Sequence, residues 1–407
     1  MDLTLSEPYQ VLQSEVRNFI RQHGDKSPKV GGGRKRPDQK TLDWQKRLVE
    51  HGYAGRTIPV EYGGFGAKPD VMAASVIAGE FARANVYAGL TNQGISMLVP
   101  TLLQLGTDVQ KRDYIGPTIR GDIIWCQGYS EPGNGSDLAN AQTKAELRDG
   151  NWIVNGQKIW TSSAHYADMM FLLCRTEPDK SKHDGLSYLL LSMKSPGLEA
   201  RPLKTMTGRS EFNEVFFTDV KVPETQIVLG RGKGWFVANV TLKHERLMIG
   251  DAGKLVGRLE QLITLLQTLD IDGLKLIEIA EYRDRLLRLQ GEVLAWKAHN
   301  LRLLTDAAQG VDSGVNRMIV KYGGTMLGFR LSALAVDALG VAGLPYESLG
   351  EAAEDDDATT WNIDYMYDVG LMIGGGSTNI QKNIIAERGL DLPREPKAQT
   401  PAVAGRT

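Results

Sequence analysis

Cysteine is nearly absent: 407 residues carry two, Cys126 and Cys174. Two thiols in so long a chain build no disulfide framework, which points to a reducing compartment. The opening stretch MDLTLSEPYQ is acidic early and lacks an apolar core, so a secretory leader is not expected. No uninterrupted apolar run approaches ~20 residues, so no membrane span is expected. Neither sign of charge dominates. The formal net charge is −2 with cations and anions intermixed, which gives no electrostatic case for a nucleic-acid partner. The expected location is cytoplasmic.

What the sequence does have is enough apolar residue, 42%, for a sizeable core, and a length that implies two or three subdomains. Residues 1–122 read as helical. Ser6 precedes PYQVLQSEVRNFI, whose Val11, Leu12, Val16 and Ile20 fall near one helix face. Lys26 to Asp38 reads as a basic, Gly/Pro-rich solvated loop. Helical patterns return in TLDWQKRLVEHG, MAASVIAGEFARA and ISMLVPTLLQLG. From residue 123 to 233 the texture changes to short β-type runs: NWIVNG, DMMFLLCRT, LSYLLLSM and FNEVFFTDVKVP. Asp149-Gly150 and Asn155-Gly156 are hairpin-type dipeptides, and Pro202 and Pro223 punctuate the rest. Residues 234–393 are helical again in long segments that suit a four-helix bundle. An acidic insert, GEAAEDDDATT, reads as an exposed loop, and residues 394–407 as a tail. The fold class is mostly α with a central β domain.

Two stretches carry chemistry. In QGYSEPGNGSDLAN, residues 127–140, glycines 128, 133 and 135 let the backbone approach a ligand, and Ser130 and Ser136 offer hydroxyls. The stretch has neither the lysine of a P-loop nor a G-x-G-x-x-G pattern, so Walker and Rossmann readings fail there. Such residues also make ordinary turns. In GQKIWTSSAHYAD, Trp160 followed by Thr161 and Ser162 suits stacking on a flat heterocycle with hydrogen bonds beside it. A core tryptophan at a strand end is the plainer alternative.

Taken in order, SEPGNGSD, GQKIWTSS, FNEVFFTDVKVP, GKGW opening a helix, and a late glycine-rich segment ending IIAERGLDLPRE resemble the acyl-CoA dehydrogenase family. The resemblance covers almost the whole chain. It implies an N-terminal helical domain, a β-barrel-like middle domain and a C-terminal four-helix bundle. It also implies FAD between the last two, in a dimer or tetramer. By position, Gln127, Gly128, Tyr129 and Ser130 resemble the segment that hydrogen-bonds the flavin ring. Gly135 lies in the same loop, and Ser136 resembles the serine near the pyrophosphate and the CoA arm. Trp160, Thr161 and Ser162 match the ring-binding triplet. Gly340 falls at the turn near the adenosine half, and Ser377 and Asn379 in the late loop that touches the cofactor.

The reaction so implied needs a carboxylate for the thioester α-proton while a hydride leaves the β-carbon for flavin N5. General-base help of this kind is worth roughly 10²–10⁴-fold. An oxyanion donor is worth roughly 2.7–4 kcal/mol. Many members carry the base in the late loop, where this chain reads MIGGGSTNIQK and has Gly375 instead. A minority, including isovaleryl-type and steroid side-chain enzymes, carry a Glu before an Arg on the first bundle helix. LKHERLMIG has Glu245 and Arg246 there. The resemblance therefore implies Glu245 as base, Gly375 as a backbone donor to the oxyanion, and Arg246 near the CoA arm. The implied substrate is an acyl-CoA with a branched or bulky acyl group, as in lipid or steroid catabolism, and the implied acceptor is an electron-transfer flavoprotein.

Two features depart from the family. The stretch QTLDIDGLKLIEIAEYRDRL lacks the Arg-Phe-Gly that reaches FAD across a dimer, and Asp337 stands where a glutamine is usual. A homodimer or homotetramer with altered contacts, or a heterotetramer whose other chain supplies them, accounts for this. A catalytically silent subunit and an oxidase on the same scaffold are the competing readings.

Overall fold

The computed structural model of the chain describes residues 5–28, 35–249, 252–311, 313–343 and 357–395; side chains are described for these except 245–249, 307–308, 343 and 357–360. The N-terminal helices are α1 (Glu7–His23), α2 (Gln39–Glu50), α3 (Val71–Arg83), α4 (Val99–Leu105) and α5 (Asp108–Ile119). Side chains cap the starts of α2, α3 and α5, while Ser6 makes no cap bond at the start of α1. Asp38 accepts from Thr41 N, Asp70 from Ala73 N, and Thr107 and Gln110 form a reciprocal capping box. Val16, Phe19, Trp44, Leu48, Ile77 and Phe81 form their core. Leu12 and Ile20 pack against it as expected, but Val11 is 53% exposed. It lies five residues before Val16, about 140° round the helix, and Phe19 takes the inner position. The expected single helix from Ile95 is split: a π-helical turn, Gly94–Leu98, precedes α4, where Pro100 has no N–H to continue the ladder.

The middle of the chain is a curled seven-stranded sheet. One arm is antiparallel, in the order β2 (Lys144–Arg148), β3 (Asn151–Lys158), β7 (Phe212–Pro223), β6 (Leu198–Leu203). In the other, β4 (Met169–Arg175) lies between β1 (Trp125–Gly128), parallel to it, and β5 (Leu186–Ser192), antiparallel. The arms join at one parallel pair, Lys144 and Arg175. Asp149 and Gly150, at φ 48° and 72°, make the expected tight turn between β2 and β3. Asn155-Gly156 does not turn the chain. It is a bulge inside β3, where Gly156 sits at φ 145° because a Cβ would meet the Thr143 Cα at 2.7 Å. Pro202 lies in β6, which pairs on one side only, and Pro223 ends β7.

Strands β4 and β5 are buried on both faces, which is why they read as continuous apolar runs. Phe171, Leu173, Tyr188 and Leu190 face the N-terminal helices, in one core with Leu98, Leu102, Trp125 and Val237. The alternate residues Met170, Leu172, Leu189 and Leu191 line the inside of the curl. Cys126 and Cys174 are fully buried; burial pushes both thiols up, Cys174 to about 12, so neither is a reactive nucleophile.

The C-terminal helices are α6 (Gly234–Ile249), α7 (Ala252–Thr268), α8 (Ala280–Ala308), α9 (Val315–Leu339), α10 (Asp357–Leu371) and α11 (Thr378–Ile384). A short hairpin, β8 (Asp270–Ile271) and β9 (Leu274–Lys275), separates α7 from α8. Leu262, Leu289, Val293, Leu331, Leu334 and Trp361 bring α7 to α10 into one core. One helix, Val315–Ala342, is long and apolar enough by length and composition to cross a membrane, a test that the core helix of a bundle also passes. Its Val320, Leu327, Leu331, Leu334, Ala335 and Leu339 fill the bundle core. The acidic insert lies outside the described residues up to 356, and its last four residues, Asp357 to Thr360, begin α10 rather than a loop. Of the tail, only residues 394–395 are described, and they are exposed. The basic loop is not merely solvated. Arg36 donates to the Asp168 carboxylate and to the Tyr166 carbonyl, tying it to the sheet.

Candidate functional site

Strand β1 ends at Gly128, where the sheet leaves little room for a side chain: a Cβ there would meet the Met170 sulfur at 2.5 Å. Beyond it, Tyr129 is buried edge-on against Phe171 and Tyr188, and Ser130 emerges half-buried. The Ser130 carbonyl accepts the Ile159 N–H at 2.9 Å, which sets the 127–130 segment beside the 160–162 triplet. Trp160 is held at φ 58°, its indole 57% exposed and edge-on to Phe212 at 5.9 Å. Thr161 behind it is fully buried, exchanging backbone bonds with Asn213.

Several polar atoms around that junction lack partners among the described residues. Gln127 Nε2 and Thr161 Oγ1 are buried and unbonded. Among the described residues the N–H groups of Ser130 and Ser162 also find no acceptor. Buried polar groups are nearly always satisfied, so Gln127 Nε2 and Thr161 Oγ1, buried without partners beside an exposed indole, mark a surface shaped for a ligand. Its chemistry suits a planar ring rich in acceptors.

Sequence reasoning missed what holds this surface. Lys158, fully buried at the end of β3, donates to Glu131 Oε1 at 2.8 Å and to the Tyr129 carbonyl at 2.9 Å. Glu131 also accepts from Gln142 N and Thr143 N. Burial alone would raise its pKa, but the charge of Lys158 and those N–H groups outweigh it and hold the carboxyl down to about 2. Lys158 itself is lowered by burial, with Glu131 opposing. The signal was visible: both residues sit inside the two motifs. A second omission carries no motif. Asn92 Nδ2 and Gln93 Oε1 are buried and unbonded at the start of the π-helical turn, whose Gly94 rests on Trp125 of β1.

The bundle side is a turn. Gly375 and Gly376 sit at φ 64° and 93°, Ser377 caps α11, and Lys321 Nζ, 1% exposed, donates to the Gly376 carbonyl at 2.7 Å. Among the described residues the N–H groups of 375, 376 and 377 reach no acceptor, which leaves three successive backbone donors open. Asn379 is exposed on α11. Between the two sides runs α6, packed on β5, on the segment from Gly94 to Leu105, and on α9. Its Thr241 is fully buried and bonded to Thr101 Oγ1 at 3.1 Å, with Tyr188 OH at 3.4 Å. Position 245 follows Thr241 by one helical turn; the side chains of Glu245 and Arg246 lie outside the described residues. His244 is shifted down by burial, with Lys243 adding to it.

Other expected residues stand apart. Gly135 and Ser136 are exposed, with open space around Gly135. Gly340 ends α9 at φ 52°, 19 residues beyond Lys321 and so roughly 28 Å along the helix from the Gly375 turn. Asp337, on the same last turn, pairs with Arg285 at 2.5 Å. A cleft of about 540 Å³ between Lys46, Val60, Phe65 and Arg120 touches none of these residues. One of about 270 Å³ is lined by the Glu131–Asn134 turn with Gln142, Thr143 and Gly156.

Residues 6–122, 126–220 and 232–390 match the models of the acyl-CoA dehydrogenase N-terminal, middle and C-terminal domains. The acyl-CoA dehydrogenase IpdE1 of Mycolicibacterium smegmatis is 36% identical, over 95% of this chain and 99% of that protein. FadE29 of Mycobacterium tuberculosis, also an acyl-CoA dehydrogenase, is 30% identical over 98% of this chain and all of that one. Among solved structures, the ChsE4-ChsE5 complex from Mycobacterium tuberculosis is similar with a TM-score of 0.77 at 28% identity, covering 97% of this chain and 100% of that one. The Tcur3481-Tcur3483 steroid ACAD is similar with a TM-score of 0.79 at 25% identity, with the same coverage. On the three domain matches and the length of these alignments, the chain belongs to the acyl-CoA dehydrogenase family, an enzyme family of flavoproteins.

Proposed function

We propose that the chain binds FAD between the curled sheet and the bundle and oxidises an acyl-CoA thioester to the trans-2-enoyl-CoA, with Glu245 as base. The observation that carries this is the row of unpartnered donors at Gln127, Ser130, Thr161 and Ser162 beside the open indole of Trp160. These donors fit the polar edge of an isoalloxazine, and Gly128 and Tyr129 supply the backbone between them. When bound, FAD supplies the acceptor for the β-hydride, at N5.

The protein's own residues do the rest. Glu245 takes the α-proton, and the Gly375 N–H, in its run of free amides, stabilises charge developing on the thioester oxygen. Ser377 and Asn379 border that turn. Ser136, with Gly135 beside it, meets the pyrophosphate and the CoA arm from the exposed loop, and Arg246 meets the same arm from α6. Gly340, far from the Gly375 turn, serves the adenosine end. Support for Glu245 comes from its place one turn past Thr241 on a helix that all three parts of the fold touch, and from the absence of a carboxylate at Gly375.

A bulky acyl group fits best. Glycines 374–376 leave space beside the thioester, and the similar solved structures include one described as a steroid ACAD. The natural electron acceptor is an electron-transfer flavoprotein. Pairing is with a second copy or a related chain, as the ChsE4-ChsE5 complex pairs two.

The test uses purified protein and a panel of straight, branched and steroid-linked acyl-CoA esters. The flavin absorbance bleaches with the right ester. Glu245→Gln keeps FAD and ester binding while flavin reduction slows by roughly 10²–10⁴-fold. Unchanged rates in that variant remove Glu245 from the base role, and a folded but colourless protein removes the whole reading.

A further inference from the structure

The peptide between Tyr129 and Ser130 is gripped from behind and free in front. Its carbonyl accepts the buried ammonium of Lys158 at 2.9 Å. Its N–H, on Ser130, has no acceptor among the described residues. The two ends belong to one amide. A cation on the oxygen draws electron density through it and makes the N–H a stronger donor, by about 10–30% per linked bond. The next carbonyl, of Ser130, is fixed by the Ile159 N–H, so the free N–H cannot swing away.

Glu131 is what lets a lysine serve there. A fully buried ammonium costs too much without a countercharge. Glu131 Oε1 supplies it at 2.8 Å while the same carboxylate is saturated by Gln142 N at 2.6 Å and Thr143 N at 2.8 Å. Another donor of the same ammonium goes to the Tyr129 carbonyl, on the amide whose N–H has no acceptor among the described residues.

We propose that Lys158 and Glu131 are positioning residues that set the hydrogen-bonding strength of the Ser130 N–H toward the flavin, and through it the flavin's reduction potential. The inference rests on the FAD site proposed above. Reduction adds negative charge to the ring, so a stronger N–H donor favours the reduced form. Taking the lysine off the carbonyl lowers the potential.

The experiment compares the potentials of the FAD-loaded wild type and Lys158→Met/Glu131→Gln, which removes both charges together and avoids stranding one. The expected result is near-native thermal stability, retained FAD, and a reduced-over-oxidised binding preference about tenfold weaker, a fall of about 30 mV for a two-electron couple. A retained flavin with unchanged potential overturns the proposal and leaves the FAD site standing. A wild type that binds no FAD overturns both.

Glu131→Gln alone is the second variant, should the double one not fold. It leaves the lysine on the carbonyl without its countercharge, so Lys158 loses its proton more readily. As pH rises its flavin potential then falls more steeply than the wild type's. Parallel slopes overturn the proposal.

Discussion

Each side of the site sets a buried lysine on a backbone carbonyl, Lys158 on Tyr129 and Lys321 on Gly376, and the surroundings of the two differ. On the sheet side the braced segment leaves a β-strand, and the lysine is balanced by a carboxylate that three N–H donors and the ammonium fill. No residue from 127 to 131 needs a left-handed backbone. On the bundle side the braced segment is a turn between α10 and α11, bent through two glycines at positive φ. The sheet side keeps its shape by strand pairing and charge balance. The bundle side keeps it by a backbone conformation that only glycine adopts freely. One is therefore vulnerable to electrostatic change, the other to a methyl group.

The largest expected effect breaks the sheet side. Lys158→Met leaves Glu131 buried and unpaired, and should cost about 3–5 kcal/mol in urea unfolding. Adding Glu131→Gln should restore most of it. A loss below about 1 kcal/mol for the single variant would mean the turn does not depend on charge balance.

Acid sharpens the same contrast. Because the Glu131 carboxyl is held down to about 2, the unfolded chain, with an ordinary glutamate pKa near ~4.3, binds its proton first as pH falls. Its contribution is complete above that unfolded value and disappears as pH drops toward 2. The size is about 2 kcal/mol once partial solvent screening is allowed for. Stability measured across this window should fall less steeply in Glu131→Gln than in the wild type. Equal slopes would place the acid sensitivity elsewhere, with Glu80, lowered by its bond to Arg17, the next group to examine.

Much of this was legible in the sequence, and the reasons differ by region. The helical, β, helical succession followed from the switch in apolar periodicity, and the Asp149-Gly150 turn from its dipeptide. Asn155-Gly156 carries the same dipeptide signal but serves a bulge, because the glycine answers to Thr143 across the sheet, and local sequence does not reveal that neighbour. Val11 missed the core for a similar reason: four apolar residues were consistent with more than one face until Phe19 was packed. The motif residues at 127–130 and 160–162 were singled out by type and order. Their supports Glu131 and Lys158 were passed over, since a charged residue in a motif does not announce that it is buried. Asn92 and Gln93 had no signal at all; only three-dimensional burial without partners exposes them.

The smallest expected effect tests the bundle side. Gly376→Ala puts a side chain on a residue at φ 93° and sets its Cβ 2.5 Å from Gln381 Nε2. The contact is with the end of a flexible side chain and can relax; the backbone strain cannot, and costs about 1–2 kcal/mol. Gly374→Ala, two residues earlier, meets only the Gly370 carbonyl at 3.6 Å and needs no positive φ, so it should stay within about 0.5 kcal/mol. Unfolding of the two variants side by side measures the difference. Acyl-CoA affinity should follow the same order, because the run of free amides at 375–377 exists only while the turn holds its bend. If both alanines cost the same, the turn is set by its packing on Lys321 rather than by glycine, and the two sides of the site are built alike after all.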